Sequence, residues 1–269
     1  MAHSLHILLT NDDGYPAEGL RLLYASLSRN HRVTVVAPEK EQSGAAHAFT
    51  YKRTLGCRPL PAAEGMHGFA VSGTPSDCVK LALAHLLETR PDVIVSGINV
   101  GENTGMAGHY SGTLAAAREG AFWEVTSAAF SVAEEGARYM ADYARTAAAI
   151  VEKLAAMHAD GFANERRRVF FNVNFPSSAP AESRGIRITR QSLAFFVDKY
   201  RLVRDGPAGR VLQLYGAKQE AEPSDAYDSR ALDSGYITIT PLHFDATAGH
   251  VLTHMAPLEN SRWYLSGKR

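Results

Sequence analysis

The chain has 269 residues, 45% of them hydrophobic and 21% charged, and its 28 basic residues are balanced by 28 acidic ones. That length and mix suit one large globular domain, or one domain with an appendage. Zero net charge gives no overall field for a nucleic-acid polymer or an anionic membrane, so neither is an expected partner.

Two cysteines, Cys57 and Cys78, without a CxxC pair argue against a disulfide framework or a cysteine zinc site. No apolar run approaches the ~18–20 residues of a membrane span. The N-terminus lacks the layout of a signal peptide. A cytoplasmic location is expected.

Residues 5–10 read as a buried strand, which Asn11-Asp12-Asp13-Gly14 breaks. Leu20, Leu23, Tyr24 and Leu27 recur at helical spacing, so 17–29 reads as an amphipathic helix. Residues 33–37 form the next strand, ended by Pro38. A second helix is expected over 75–88, with Gly73-Thr74-Pro75-Ser76-Asp77 as its turn and cap. Residues 93–96 are another apolar strand. Glycine-rich sequence then runs to Gly112, followed by an alanine-rich helix over 113–124. Residues 127–132 read as a strand. Tyr143, Ala147, Ile150, Val151, Leu154 and His158 mark a long helix ending near Gly161, and 169–173 a further strand. After about residue 185 the texture changes. Residues 186–190, 195–203 and 211–215 read as strands with no helix between them, and Arg204-Asp205-Gly206-Pro207 carries turn chemistry. Residues 235–241 alternate with period two, and Pro241 is expected to end the strand.

Strands alternating with helices predict an α/β fold, a mostly parallel sheet with helices on both faces. The expected divisions are 1–190 for this core, 191–230 for a β-rich excursion, and 231–269 for a returning strand and tail. Such sheets take ligands outside the C-terminal ends of their strands. Asp12 and Asp13 follow the first strand, Glu39–Ser43 the second, and Asn99 the strand at 93–96. Three loops are therefore expected on one rim.

Adjacent carboxylates after a buried strand repel each other. A divalent cation removes that conflict; capping of the following helix is the plainer alternative. Ser43 and Asn99 would add neutral oxygens, or act as a turn residue and a loop-capping amide. Together Asp12, Asp13, Ser43 and Asn99 make an all-oxygen set that suits Mg²⁺ or Mn²⁺ over zinc. The stretch Ser96–Gly105 leads to Tyr110-Ser111-Gly112-Thr113 at a helix start. Free N–H groups and the helix dipole there make an anion site, to which the Ser111 and Thr113 hydroxyls could add donors. Both are also ordinary N-cap residues. His109 is either an exposed loop histidine or a general acid, and His47 is a weaker candidate. Arg166-Arg167-Arg168 reads as a solvated loop. Neither GxxxxGK[ST] nor GxGxxG occurs, so no nucleoside triphosphate or dinucleotide is indicated.

These motifs, in order, resemble the SurE (survival protein E) type of 5′-nucleotidase. The matching segments are Leu8–Gly14, Ala37-Pro38 with Gln42-Ser43-Gly44, Gly73-Thr74-Pro75 with Asp77-Cys78-Val79, Ser96–Asn99 with Gly101 and Asn103, and Tyr110–Thr113. Gly235–Leu242 follows, with Asp245 and Thr247 beyond it. The resemblance implies a Rossmann-like core with a C-terminal extension that exchanges between subunits, in homodimers or homotetramers. It implies release of phosphate from nucleoside 5′- and often 3′-monophosphates, and in some members cleavage of polyphosphate, with one Mg²⁺ or Mn²⁺ per subunit. The ligands it implies are Asp12, Asp13, Ser43 and Asn99, with Asn103, Ser111, Gly112 and Thr113 around the phosphate. Two departures stand out. Some members have a histidine four residues after the aspartate matching Asp245; here Gly249 holds that place and His250 follows it. Pro223-Ser224-Asp225 has serine where threonine is common.

Two mechanisms fit these residues. Asp12 or Asp13 orients or deprotonates an attacking water, or one of them attacks phosphorus directly. The rival from another class is a non-catalytic nucleotide-binding or regulatory module on the same fold.

Overall fold

The computed structural model describes residues 4–159, 169–207 and 209–259. β1 (His6–Thr10) is buried along its whole length, and its pleat divides it: Ile7 and Leu9 enter one core, Leu8 another. β2 (Arg32–Pro38) and β5 (Val93–Val100) are split in the same way. Val33, Val35, Val93 and Val95 join the first core, Val36 and Ile94 the second. Strands apolar on both faces need cover on both. α1 (Glu18–Leu27) and α4 (Met140–Ala159) pack together over the first face. α2 (Pro75–Leu81) and α3 (Gly112–Phe122) pack together over the second.

Among the described residues, the main sheet has nine strands. β4 (Gly68–Val71), β2, β1, β5, β6 (Thr126–Val132) and β7 (Val169–Phe175) run parallel in that spatial order. β3 (Cys57–Pro59) pairs antiparallel with β4 at one edge. At the other, β11 (Ile237–His243) runs antiparallel to β7 and parallel to β8 (Ile186–Ile188). The chain steps from β1 outward to β2, then returns to β5 on the opposite side of β1. That reversal opens a crevice outside the C-terminal ends of β1 and β5, the place where doubly wound sheets hold ligands. The expected α/β architecture is present.

Several elements differ from the sequence reading. The helix expected over 75–88 is α-helical to Leu81 and finishes as a π turn, Ala82–Leu86. Pro241 does not end its strand: it lies inside β11, opposite Phe171. The reason is local. β8 pairs only with Ile237–Ile239, so beyond that point one edge of β11 is open and a missing N–H there breaks no ladder. β9 (Phe195–Gly206) and β10 (Gly209–Gln219) form a separate antiparallel hairpin, longer than expected because it runs through the predicted turn residues Arg204–Gly206. Both strands are exposed almost throughout, including Tyr200, Leu202, Leu212 and Leu214. Two short helices, α5 (Asp228–Asp233) and α6 (Gly249–Met255), were not anticipated. Gly161 and Arg166-Arg167-Arg168 lie outside the described residues. Among the described residues, no helix is long and apolar enough to cross a membrane.

Candidate active site

Asp12 is 4% exposed. Its Oδ1 accepts the Thr113 hydroxyl at 2.7 Å, and its Oδ2 accepts the Thr113 N–H at 3.1 Å. Thr113 lies in the first turn of α3, so the amide-rich end of that helix is already turned on a carboxylate. Burial pushes the Asp12 pKa up, and the Thr113 bonds pull against it. Asp13 is partly buried, and among the described residues no hydrogen bond holds its side chain. Burial, then the charge of Asp12, then that of Glu41 raise its carboxyl to about 6.

Glu41 arrives on the loop after β2, which is anchored where the Gln42 N–H donates to the Asp12 carbonyl at 2.7 Å. Glu41 is close enough to raise the pKa of both aspartates. Ser43 is exposed on the same loop, and its hydroxyl donates to Glu41 Oε1 at 2.8 Å. Asn99 occupies the last part of β5, beside β1. Its amide nitrogen donates to the carbonyls of Val100 (3.0 Å) and Gly101 (2.7 Å), so its carbonyl oxygen is the atom suited to a cation. The fold thus brings the loops carrying Asp12, Asp13, Ser43 and Asn99 to one rim. Glu41 is a member that sequence reasoning did not single out. Among the described residues, no group of three His, Cys, Asp or Glu side chains is arranged to hold a metal. An ion on this rim would depend on two aspartates completed by neutral oxygens.

The glycine-rich loop is tied inward. Gly101 N–H donates to the Val132 carbonyl at 2.8 Å, and Asn103 N–H to Asn174 Oδ1 at 2.8 Å. The Asn103 amide donates to Ser131 Oγ at 2.8 Å, and Asn172 donates to the Asn103 carbonyl at 2.8 Å. Gly105 N–H donates to Asp228 and Met106 N–H to the Ala194 carbonyl. Most loop amides expected to meet an anion are therefore engaged by the protein. Ser111 is the N-cap of α3, its Oγ accepting Leu114 N–H at 3.2 Å. Its hydroxyl hydrogen and the first-turn N–H of Gly112, which has no intrahelical acceptor, remain as donors. Thr113, expected beside the phosphate, is committed to Asp12.

Other candidates sit elsewhere. Thr74 and Asp77 form the expected capping box at the start of α2. His109 is exposed, 3.4 Å from Gln191 Nε2. Asp245 and His250 follow β11, which runs antiparallel to β7, so they leave the sheet at the N-terminal ends of the parallel strands, opposite the end that carries Asp12. Within one chain the structure does not bring them to the rim.

His47 is paired with Glu119 of α3, whose buried carboxylate also meets Lys80 and Trp123, at 3.0, 2.8 and 2.9 Å. This cluster pins the loop that carries Ser43. Burial pushes the Glu119 pKa up, but the bonds from His47, Lys80 and Trp123 outweigh it and leave the pKa below its ordinary 4.5. A depressed carboxyl pKa adds stability above the unfolded value and loses it as pH falls through the folded one. Glu119→Gln is expected to destabilise the protein by about 2 kcal/mol at neutral pH, because it replaces a buried carboxylate oxygen that accepts charge-assisted bonds with an amide that donates. The gap to the parent protein should narrow below pH 4.5, as read from denaturant midpoints across pH.

Residues 7–197 match the family model described as survival protein SurE. The chain belongs to the SurE family. A protein named 5′-nucleotidase SurE from Syntrophobacter fumaroxidans is 38% identical over 244 residues, 90% of this chain and 95% of that one. Another of the same name from Methylococcus capsulatus is 39% identical over 247 residues, 90% of this chain and 93% of that one. The crystal structure of the SurE protein from Aquifex aeolicus superposes with a TM-score of 0.78 at 32% identity, covering 95% of this chain and 100% of that one. The SurE model takes in the whole Asp12 rim and stops within β9, so most of the hairpin, α5 and β11 lie beyond it.

Proposed function

We propose that this chain is a phosphomonoesterase releasing phosphate from nucleoside 5′-monophosphates, with one Mg²⁺ or Mn²⁺ held at Asp12 and Asp13. Asp12 carries the reading: a buried carboxylate fixed by a helix N-terminus at the switch point of the sheet, in a family whose relatives bear nucleotidase names. The residues present suit the ion. Two carboxylates, the Ser43 hydroxyl and the Asn99 carbonyl are hard oxygen donors. Both aspartates have raised pKa values, a burden that a cation removes, and Asn11 Oδ1 next to them is buried without a donor.

When bound, such an ion supplies Lewis-acid polarisation of a phosphoryl oxygen and a more acidic water. Asp12 keeps its ligand position through Thr113. Asp13, whose oxygens the protein leaves unengaged, accepts the proton of the attacking water. The Ser111 hydroxyl and the Gly112 N–H donate to phosphoryl oxygens as charge gathers on them. These contacts concern only the phosphoryl group, so 3′-monophosphates and polyphosphate ends are further substrates. The exposed β9–β10 hairpin would join subunits into a homodimer or homotetramer, and the free thiols Cys57 and Cys78 suit a cytoplasmic location.

The test is phosphate release from a panel of nucleoside 5′-monophosphates with Mg²⁺, with Mn²⁺ and with chelator. A Lewis acid worth several kcal/mol implies a loss of about 10²–10³-fold on chelation, reversed by returning the ion. Release indifferent to chelator removes the metal from the reading. Nucleotide binding without release under any ion identifies a non-catalytic binding module instead.

A further inference from the structure

Asp228, the first residue of α5, is fully buried and lies outside the rim. Its carboxylate accepts three backbone N–H groups: Gly105 at 3.1 Å on Oδ2, and Ser192 and Ser229, each at 2.8 Å, on Oδ1. Gly105 belongs to the loop between β5 and α3. Ser192 leads into β9. One carboxylate therefore bonds the site loop, the base of the hairpin and α5 together, and its three donors are what make its burial tolerable.

The seam around it is tight. Met106 N–H donates to the Ala194 carbonyl at 2.9 Å, and Gln191 Nε2 to the Gly105 carbonyl at 2.8 Å. Gly105 has φ +56°, and a Cβ there would fall 2.5 Å from the Ala194 carbonyl oxygen and 2.8 Å from Ser192 Oγ. The two backbones approach too closely for a side chain. A second tie is ionic. Lys218 of β10 lies 3.3 Å from Glu102 of the same loop, 2.9 Å from Asp233 of α5 and 3.4 Å from Glu220.

On its other side the loop is held by Ser131, Asn172 and Asn174, all buried on core strands. It is gripped by the sheet on one side and by the hairpin stem on the other. The sheet side is fixed by the core. The stem side belongs to a hairpin whose faces are open, so its seating is the variable that reaches the loop.

From this geometry we infer that Asp228 and Lys218 are positioning residues, which hold loop 101–109 from the hairpin side and couple the seating of the hairpin to phosphate binding. Neither touches the rim. Their effect passes through Gly105 and Glu102 to Asn103, and along the turn Gly105–His109 to the Ser111 cap. The phosphate half of this inference rests on the nucleotidase reading; the mechanical coupling does not.

The test uses the full chain with Asp228→Asn, Lys218→Met and Lys218→Arg. Three quantities are read: amide exchange of residues 101–109 against α4, inorganic phosphate affinity in Mg²⁺ by calorimetry, and KM and kcat for a nucleoside 5′-monophosphate. Losing a charge-assisted bond should speed exchange in 101–109 about 10-fold, raise KM and the phosphate Kd by about 10-fold, and change kcat far less. α4 should exchange as before, and Lys218→Arg should restore the parent values. Unchanged exchange in 101–109, or loss confined to kcat, overturns the inference. Should Asp228→Asn fail to fold, Lys218→Met decides alone, since its partners are near the surface. If the parent protein neither binds nor releases phosphate, the nucleotidase reading fails, and the exchange data still decide the coupling.

Discussion

Asp12→Asn is expected to lower kcat/KM for a nucleoside 5′-monophosphate by about 10³-fold while the protein stays folded. The substitution is nearly isosteric. Its remaining carbonyl oxygen can still accept the Thr113 hydroxyl, now 2.7 Å from Oδ1. The new amide would meet the Thr113 N–H, a donor against a donor, at a stability cost of about 1–3 kcal/mol. Removing a buried charge whose pKa is already raised by burial offsets part of that cost. What is lost is the charge that would hold a cation. Kinetics should therefore be paired with a calorimetric Mn²⁺ titration, in which affinity falls along with activity. A variant within tenfold of the parent kcat/KM would remove Asp12 from the mechanism. Asp13→Asn separates two roles for Asp13: lost activity with Mn²⁺ affinity retained marks a proton acceptor, and lost affinity marks a ligand.

The strands around this site could be read from sequence because they are covered on both faces. Ile7-Leu8-Leu9 and Val93-Ile94-Val95 are unbroken apolar runs, and their short length and the polar and glycine residues that close them mark them as strands rather than buried helix. β4 could not be read. Gly68-Phe69-Ala70-Val71 is too short for a period and opens on glycine, yet it lies outside β2 and extends the parallel order on that side. α5, at six residues, is also below the length at which periodicity speaks.

The site divides in the same way. An acidic pair straight after a buried strand is a local signal, and Asp12 and Asp13 gave it. The role of Thr113 is not local: 101 positions separate it from Asp12. Read by itself, a threonine at a helix start is a cap or an anion donor, and only the fold shows that the anion it serves is Asp12. Asp228 is the extreme case. It stands in a polar stretch with Asp225 and Asp233, and nothing in the local sequence separates it from Asp225, which accepts the Ser234 hydroxyl at 2.8 Å.

Gly112→Ala is expected to lower kcat/KM by about 10²-fold without removing any functional atom. A Cβ at this position would lie 2.9 Å from Asp12 Cβ, 3.1 Å from Asp12 Oδ2 and 3.3 Å from Pro75 Cγ. One of these neighbours must yield. Pro75 begins α2, whose capping box joins Thr74 to Asp77, and Asp77 is held further by the Thr50 N–H at 2.7 Å and the Thr50 hydroxyl at 2.9 Å. Asp12 lies in a loop and is the softer side, so it moves and its bonds to Thr113 lengthen. Alanine is the better helix residue, by about 1 kcal/mol in a helix interior and less at this first position, which offsets part of the strain in overall stability. The variant should therefore melt close to the parent while its kcat/KM falls. Thr113→Val supplies the comparison, since it deletes the 2.7 Å hydroxyl bond but leaves the helix at its present distance. If Gly112→Ala retains the parent kcat/KM, the closeness of α3 to Asp12 does not set the catalytic geometry. If it falls further than Thr113→Val, the distance between helix and carboxylate matters more than the single hydrogen bond that spans it.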